Sequence, residues 1–292
     1  MRRSLTAIVT AAALIGGAAA SDAQATVAAD RAAAARAAAW LEAQPSSEMA
    51  GGQQADAIVA LRAAGRSPGS LSSRLRRLAA DGPGYARTPG AAAKVALAAV
   101  AADADPSSLG GVDYLRRVRA GSAGGRYGAT AFDQALAMLA LRAAGRPVPR
   151  AALRLLRRTR GRGGWNLGLS GGGADEVDTT GLVIEAMRAA GAPARDRALR
   201  SATAWMLRQR NRQGGLASAG GRRATEANAT AAAIRALRAM GRRPPASMRA
   251  ALRSLQERDG AVRFRHRDAG SRLLATNDAI VALAGRRLPV RG

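Results

Sequence analysis

The hydrophobic pattern along the chain is helical throughout and is organised in units. A helix-ending phrase recurs as Leu61-Arg-Ala-Ala-Gly65, Leu141-Arg-Ala-Ala-Gly145, Met187-Arg-Ala-Ala-Gly191, Leu237-Arg-Ala-Met-Gly241 and a shortened Leu283-Ala-Gly285. These glycines stand 80, 46, 50 and 44 residues apart, and the first gap holds two units because Thr88 to Asp105 supplies a weaker helix centred on Leu97. Six units result, with a period of the length expected for stacked helical hairpins. Each glycine suits the residue just past a helix end, where a left-handed backbone carries no Cβ penalty. Pro68, Pro147, Pro193, Pro244 and Pro289 then follow.

Two kinds of helix alternate. The helices that end in the recurring phrase are nearly uncharged until their last turn, as in Ala131 to Leu141. Seven residues before the closing Leu or Met stand Gln54, Gln134, Thr180, Thr230 and Thr276, with Asp56, Asp133, Asp178, Asn228, Asn277 and Asp278 nearby. Polar side chains there are expected to cap the helix starts, with Asp178 or Thr179 as the cap of the fourth unit. The earlier helix of each unit sets arginine against an apolar stripe, as in Arg74-Leu-Arg-Arg-Leu78, Tyr114-Leu-Arg-Arg-Val118 and Leu153-Arg-Leu-Leu-Arg-Arg158. A helix apolar all round is buried on every side, whereas an amphipathic one keeps a solvent face. The pattern therefore predicts an all-α protein, an α/α toroid of about six helical hairpins with an Ala-rich inner ring and an Arg-rich outer ring. An open α-solenoid is the alternative, but it would need capped terminal faces.

At the N-terminus, Arg2 and Arg3 precede an apolar stretch from Leu5 to Ala20, and Ala23-Gln24-Ala25 fits a small-residue cleavage site. Residues 1–25 read as a signal peptide, which leaves residues 26–292 as a single toroid domain and predicts a secreted or cell-envelope protein; the Sec and twin-arginine routes are not distinguished. No stretch predicts a membrane span.

Composition narrows the chemistry. The 292 residues carry 46 Lys+Arg against 20 Asp+Glu, a formal charge of +26, with no cysteine and one histidine, His266. No thiolate nucleophile, disulfide or Cys-ligated metal is available, and a two-histidine site is excluded within one chain. No cofactor or metal is expected. The basic excess should attract anionic surfaces, so an anionic cell-envelope polymer is one candidate partner. Nucleic acid is disfavoured, because eight aromatic residues offer few stacking partners.

Trp40-Leu-Glu-Ala-Gln44 and Trp205-Met-Leu-Arg-Gln209 share a W-x-x-x-Q spacing, with Leu252-Arg-Ser-Leu-Gln256 as a variant, and glycines follow at Gly51-Gly52, Gly214-Gly215 and Gly260. Over roughly residues 30 to 287 this resembles the repeat of the squalene–hopene cyclase and protein prenyltransferase β-subunit superfamily, which implies an α/α toroid. The resemblance implies more at one point. Glu176-Val-Asp178-Thr-Thr-Gly181 is similar to the D-x-D-D-T-A motif of class II terpene cyclases. It places Glu176 on the first acid, Asp178 on the proton donor, Thr179 on the last Asp and Thr180 on the Thr.

Several features argue against catalysis by the routes of that superfamily. Thr179 lacks the carboxylate that would help tune a strong acid. Few aromatics are available to line a cavity for a carbocation. No residues remain for the second helical domain of class II cyclases, and prenyltransferase zinc needs a cysteine. The favoured reading is therefore a non-catalytic, exported toroid that binds a small hydrophobic or anionic ligand, with an isoprenoid or other lipid as the candidate. The alternatives are a terpene cyclase-type enzyme using Asp178 with Glu176, and a cationic surface protein. Inner-helix starts should converge on one rim whose partial positive charges suit an anion. Trp165, Asn166, Thr179, Thr180, Glu226 and Asn228 are the expected ligand-binding rim, with Trp165 alternatively a core anchor of its repeat.

Overall fold

The computed structural model describes residues 6–120, 122–219 and 224–290. The expected basic n-region at Arg2 and Arg3 lies outside them. Twelve α-helices run α1 (Thr6–Ala43), α2 (Gly51–Ala63), α3 (Ser72–Tyr85), α4 (Pro89–Ala101), α5 (Tyr114–Arg119), α6 (Ala131–Ala143), α7 (Arg150–Arg158), α8 (Val177–Ala189), α9 (Arg197–Arg208), α10 (Ala227–Ala239), α11 (Ala246–Arg253) and α12 (Arg272–Leu283). Among the described residues no helix is long and apolar enough to cross a membrane.

The even-numbered helices form the inner ring. Each packs on the next, and α12 returns to pack on α2, so the ring closes and the open solenoid is excluded. The odd-numbered helices surround it, and α1 completes the outer layer by touching α2, α11 and α12. Burial separates the two rings as the polarity pattern requires. On α10 nearly every residue from Ala227 to Ala239 is buried, whereas α7 buries only Ala152, Leu155 and Leu156. Small residues let the inner helices touch closely. A Cβ on Gly181 of α8 would stand 2.9 Å from the Ala232 backbone of α10.

The recurring phrase builds two devices at the inner-helix ends. The first is a Schellman turn, in which the residue after each closing glycine donates back to the carbonyl five residues earlier, as in Arg66 to Leu61 (3.1 Å), Arg146 to Leu141 (2.7 Å) and Arg242 to Leu237 (2.8 Å). Gly65, Gly145, Gly191, Gly241 and Gly285 all have positive φ; in the second unit Asp103 takes that place at φ 57°. The second device is the arginine of the phrase. Arg62 Nε donates to the Ala101 carbonyl (3.0 Å), Arg142 Nε to Ala189 (3.2 Å) and Arg188 Nε to Ala239 (3.0 Å), each on the next inner helix. Terminal carbonyls left free by one helix are thus satisfied by a cation from its neighbour.

Candidate functional site

The capping expectation holds at Asp133, which accepts from the Thr130 amide (3.1 Å) in a capping box at the start of α6, but not in the fourth unit or at the recurring Thr and Gln. The fourth unit's helix is preceded by Glu176, not by Asp178 or Thr179, as its N-cap position. The recurring Thr and Gln side chains stand within the helices and hold the loops that lead into them. Thr180 Oγ1 accepts from the Trp165 amide (2.9 Å), Thr230 from Leu216 (3.0 Å) and Thr276 from Val262 (2.8 Å). Gln134 Oε1 accepts from the Tyr127 amide (2.9 Å) in the same manner. Buried amides with no other partner explain why a polar residue must stand there.

These anchors set the register of the barrel axis. Two residues before them, Phe132, Asp178, Asn228 and Leu274 face a central cavity; two residues after them, Asp56, Leu136, Leu182, Ala232 and Asp278 do so. Lys94 occupies the corresponding level of α4, and one turn deeper come Val59, Leu97, Arg235 and Val281. All six inner helices therefore contribute to one cavity of about 390 Å³, with Ser218, Glu226 and Phe264 from loops at its mouth and Leu288 from the C-terminal tail. Its volume falls at the lower end of small-molecule pockets.

One wall is apolar: Phe132 and Leu136 on α6, Leu182 on α8, then Phe264 and Leu274. The opposite wall is ionic. Lys94 Nζ meets Asp56 Oδ2 at 2.6 Å. Arg235 bridges Glu185 (3.1 Å) and Asp278 (2.8 Å), and Asn228 donates to Asp278 at 2.6 Å. The Leu288 amide also donates to Glu185 (2.8 Å), which ties the tail under the cavity. Burial pushes the Asp56 and Glu185 carboxyls above their ordinary values despite the cations beside them. Burial alone would lower the Lys94 amine, but Asp56 more than offsets it and holds the amine above its usual value. Asp56, Asp178, Glu226 and Asp278 face this space against Lys94 and Arg235, so the lining is net anionic inside a protein of formal charge +26. Carboxylates occupy the mouth where a convergence of helix starts was expected to suit an anion.

The expected rim divides. Of its residues, Glu226 and Asn228 line the cavity, as does the candidate acid Asp178. Trp165 does not: it is fully buried, and its Nε1 donates to the Leu156 carbonyl at 2.7 Å, anchoring the loop to α7. Asn166 is 8% exposed and spends its amide on the Ser170 (3.0 Å) and Gly172 carbonyls within its own loop. Thr179 and Thr180 are buried; Thr179 Oγ1 donates to Glu176 Oε2 at 2.6 Å. Glu176 also accepts from the Leu167 amide (3.0 Å), so it organises the loop instead of facing the axis. Asp178 Oδ1 accepts from the Ser218 hydroxyl (2.5 Å) and the Thr179 amide (2.9 Å), and the Ser218 amide donates to Glu226 (2.8 Å). Sequence reasoning missed Asp56, Lys94, Glu185, Arg235 and Asp278 as one network. The signal was available: Lys94 is the one lysine of the chain and stands alone in Pro89-Gly-Ala-Ala-Ala-Lys-Val-Ala-Leu97.

No protein-family model matches the sequence. No curated protein matches it either. The fold is similar to that of the type II terpene cyclase MstE from Scytonema. Its apo structure superposes with a TM-score of 0.56 at 16% identity, covering 89% of this chain and 98% of that chain. A variant of MstE in complex with geranylgeranyl dihydroxybenzoate, its substrate, gives a TM-score of 0.60 at 16% identity, covering 90% of this chain and 98% of that chain. The terpene cyclase-like toroid is thus the fold of this protein. The MstE comparison also corrects an expectation: one toroid covers 98% of a type II terpene cyclase chain, so the need for a second helical domain is no argument against a cyclase-like chain.

Proposed function

We propose that the protein binds an isoprenoid or similarly elongated apolar molecule in the barrel cavity and does not protonate it. The observation that carries this is the cavity itself, with an apolar wall on α6 and α8 that ends at carboxylates on the mouth. A fold of this kind accommodates a geranylgeranyl compound in MstE. The net negative lining favours a head that is neutral, hydrogen-bond-donating or cationic over an anionic one. The surroundings of Asp178 support binding without proton transfer: its Oδ1 is engaged by the Ser218 hydroxyl and the Thr179 amide. Thr179 turns its hydroxyl to Glu176 and offers Asp178 no second carboxylate.

The test is extraction of the purified protein with organic solvent and mass spectrometry of the extract, followed by protection of Lys94. As the one lysine, and a cavity residue, Lys94 reports occupancy through its reaction with an amine reagent. A bound isoprenoid alcohol or amine should slow that reaction, and an unchanged rate at saturating ligand refutes the site.

A second reading is a cyclase with Asp178 as the acid, favoured by the carboxylate facing the cavity. Product formed from a geranylgeranyl substrate and lost in Asp178→Asn would establish it. We also infer export from the apolar N-terminal stretch and Ala23-Gln24-Ala25; N-terminal sequencing of the mature protein tests it.

A further inference from the structure

Three arginine staples join successive inner helices; α4 and α12 have Val100 and Ala284 where the others have arginine, and the arginine of α10 is the one that is present but lacks its acceptor. Ala101, Ala189 and Ala239 offer their carbonyls to the arginines of the preceding phrases, and the residue aligned with them in the last unit is Gly285. Helix α12 ends at Leu283, and Gly285 has already turned to φ 77°. Arg238, which should staple α10 to α12, therefore finds no helical carbonyl. Its Nε is buried without a hydrogen-bond partner, and it makes no ion pair among the described residues. The acid that acts on it, Asp30, is already paired with Arg249 and Arg253.

Arg238 opens into a cleft of about 610 Å³ between the α10–α11 turn and the C-terminal tail. Arg242, Arg243, Arg286 and Arg287 also line it, all four are exposed, and no carboxylate does so among the described residues. Five guanidinium groups around one concavity repel each other, and a partly buried one that lacks a partner has lost hydration without compensation. An anion with several oxygens repairs both defects, because guanidinium donors match phosphate oxygens in pairs.

We propose that this cleft is a binding site for a phosphate-bearing anion, separate from the axial cavity, with Arg238 as its inner anchor and Arg242, Arg243, Arg286 and Arg287 as its rim. The phosphate can be that of a small soluble molecule or of a lipid headgroup; the chemistry recognised is the same. The cleft lies at the inner-helix ends opposite Asp178. It adjoins the cavity only through the tail, where Leu288 faces the axis between Arg287 and Pro289.

Calorimetric titration of the full chain with inorganic pyrophosphate, and sedimentation with phosphatidylglycerol against phosphatidylcholine vesicles, tests this and separates the two sources. Arg238→Gln should weaken whichever interaction occurs by about tenfold or more, the effect of one charge-assisted contact. Because Arg238 holds no structural partner, the variant should fold; Arg286→Gln with Arg287→Gln on the exposed rim gives an independent check. Arg154→Gln with Arg158→Gln on the exposed face of α7 removes equal charge and should change affinity less than twofold. Pyrophosphate binding lost in the cleft variants identifies a soluble anion, and vesicle binding lost in them identifies a headgroup; either result supports the site. If neither ligand binds, or the α7 pair weakens binding as much as the cleft variants, the site is overturned.

Discussion

Arg235 of α10 holds Glu185 of α8 at 3.1 Å with both side chains almost wholly shielded from water. The same guanidinium reaches Asp278 of α12 at 2.8 Å, so one cation spans three consecutive inner helices beneath the cavity. Such a buried pair adds little net stability when intact, because desolvation cancels much of the attraction, but losing one member leaves an unpaired buried charge. Arg235→Met is therefore expected to cost about 3–5 kcal/mol in urea unfolding. Adding Glu185→Leu and Asp278→Asn should return most of that loss. A single variant that unfolds at the wild-type midpoint would show that water reaches the network.

The pair on the neighbouring helices makes a pH prediction. The Lys94 amine is held above its ordinary value by Asp56 in the folded chain, so the folded state keeps its proton longer than the unfolded one. The stability this contributes is fully present below the unfolded lysine value, 10.5, and is lost as pH rises through the higher folded value. Melting temperature should fall above about pH 10.5, and Lys94→Met should flatten that part of the profile while lowering stability at pH 7. Reductive ¹³C-methylation gives the direct measurement, since one side-chain amine is present; titration of that signal below 10.5 would contradict the pairing.

The helix-end geometry separates two similar-looking substitutions. Gly145 at φ 71° meets nothing within 4 Å at its Cβ position, so Gly145→Ala creates no clash and pays only the left-handed backbone penalty, about 1–2 kcal/mol. Asp103 already adopts φ 57°, so Asp103→Gly should stay within about 0.5 kcal/mol of wild type. Thermal melts of both variants check this; equal destabilisation would mean that the Arg62–Asp103 contact at 3.7 Å, and not the backbone, decides the second position.

How much of this was legible in the sequence depends on what each residue had to do. The toroid was legible because burial on every side demands apolar helices, and those cannot be imitated by surface ones. Gly65, Gly145, Gly191 and Gly241 were legible because a left-handed helix end admits few other residues. Thr180 and Thr230 were visible as a regular position but were assigned the wrong task. A hydroxyl near a helix start can cap its own helix or hold a preceding loop, and only the loop path, not its composition, chooses between them. Trp165 had two readings, rim residue or core anchor of its repeat, and the buried contact of its Nε1 with the Leu156 carbonyl makes it the anchor. The charged network was not legible as a network. Asp56 and Lys94 lie 38 residues apart, Glu185 and Arg235 50, and only the closed ring brings them together. The arginine of the recurring phrase reads as a surface residue in sequence; its role as a staple needs the position of the next helix end.

The axial cavity makes the most discriminating prediction. Val59 on α2 faces the axis one turn below Asp56, and it is half-buried with open space beyond its methyl groups. Val59→Phe should fill part of the 390 Å³ while leaving every charged residue of the ionic network in the chain. Because the added ring enters existing space, the variant should retain its fold, with a change in stability of no more than about 1–3 kcal/mol, the usual span for overpacking. A ligand seated between the α6–α8 wall and the Lys94 side would lose its room, so co-purified isoprenoid should fall well below stoichiometric and Lys94 should no longer be protected by added ligand. A ligand bound elsewhere, including at the arginine cleft, would be indifferent to the change. Retention of full occupancy in a folded Val59→Phe protein therefore rejects the cavity as the binding site while leaving the fold assignment untouched.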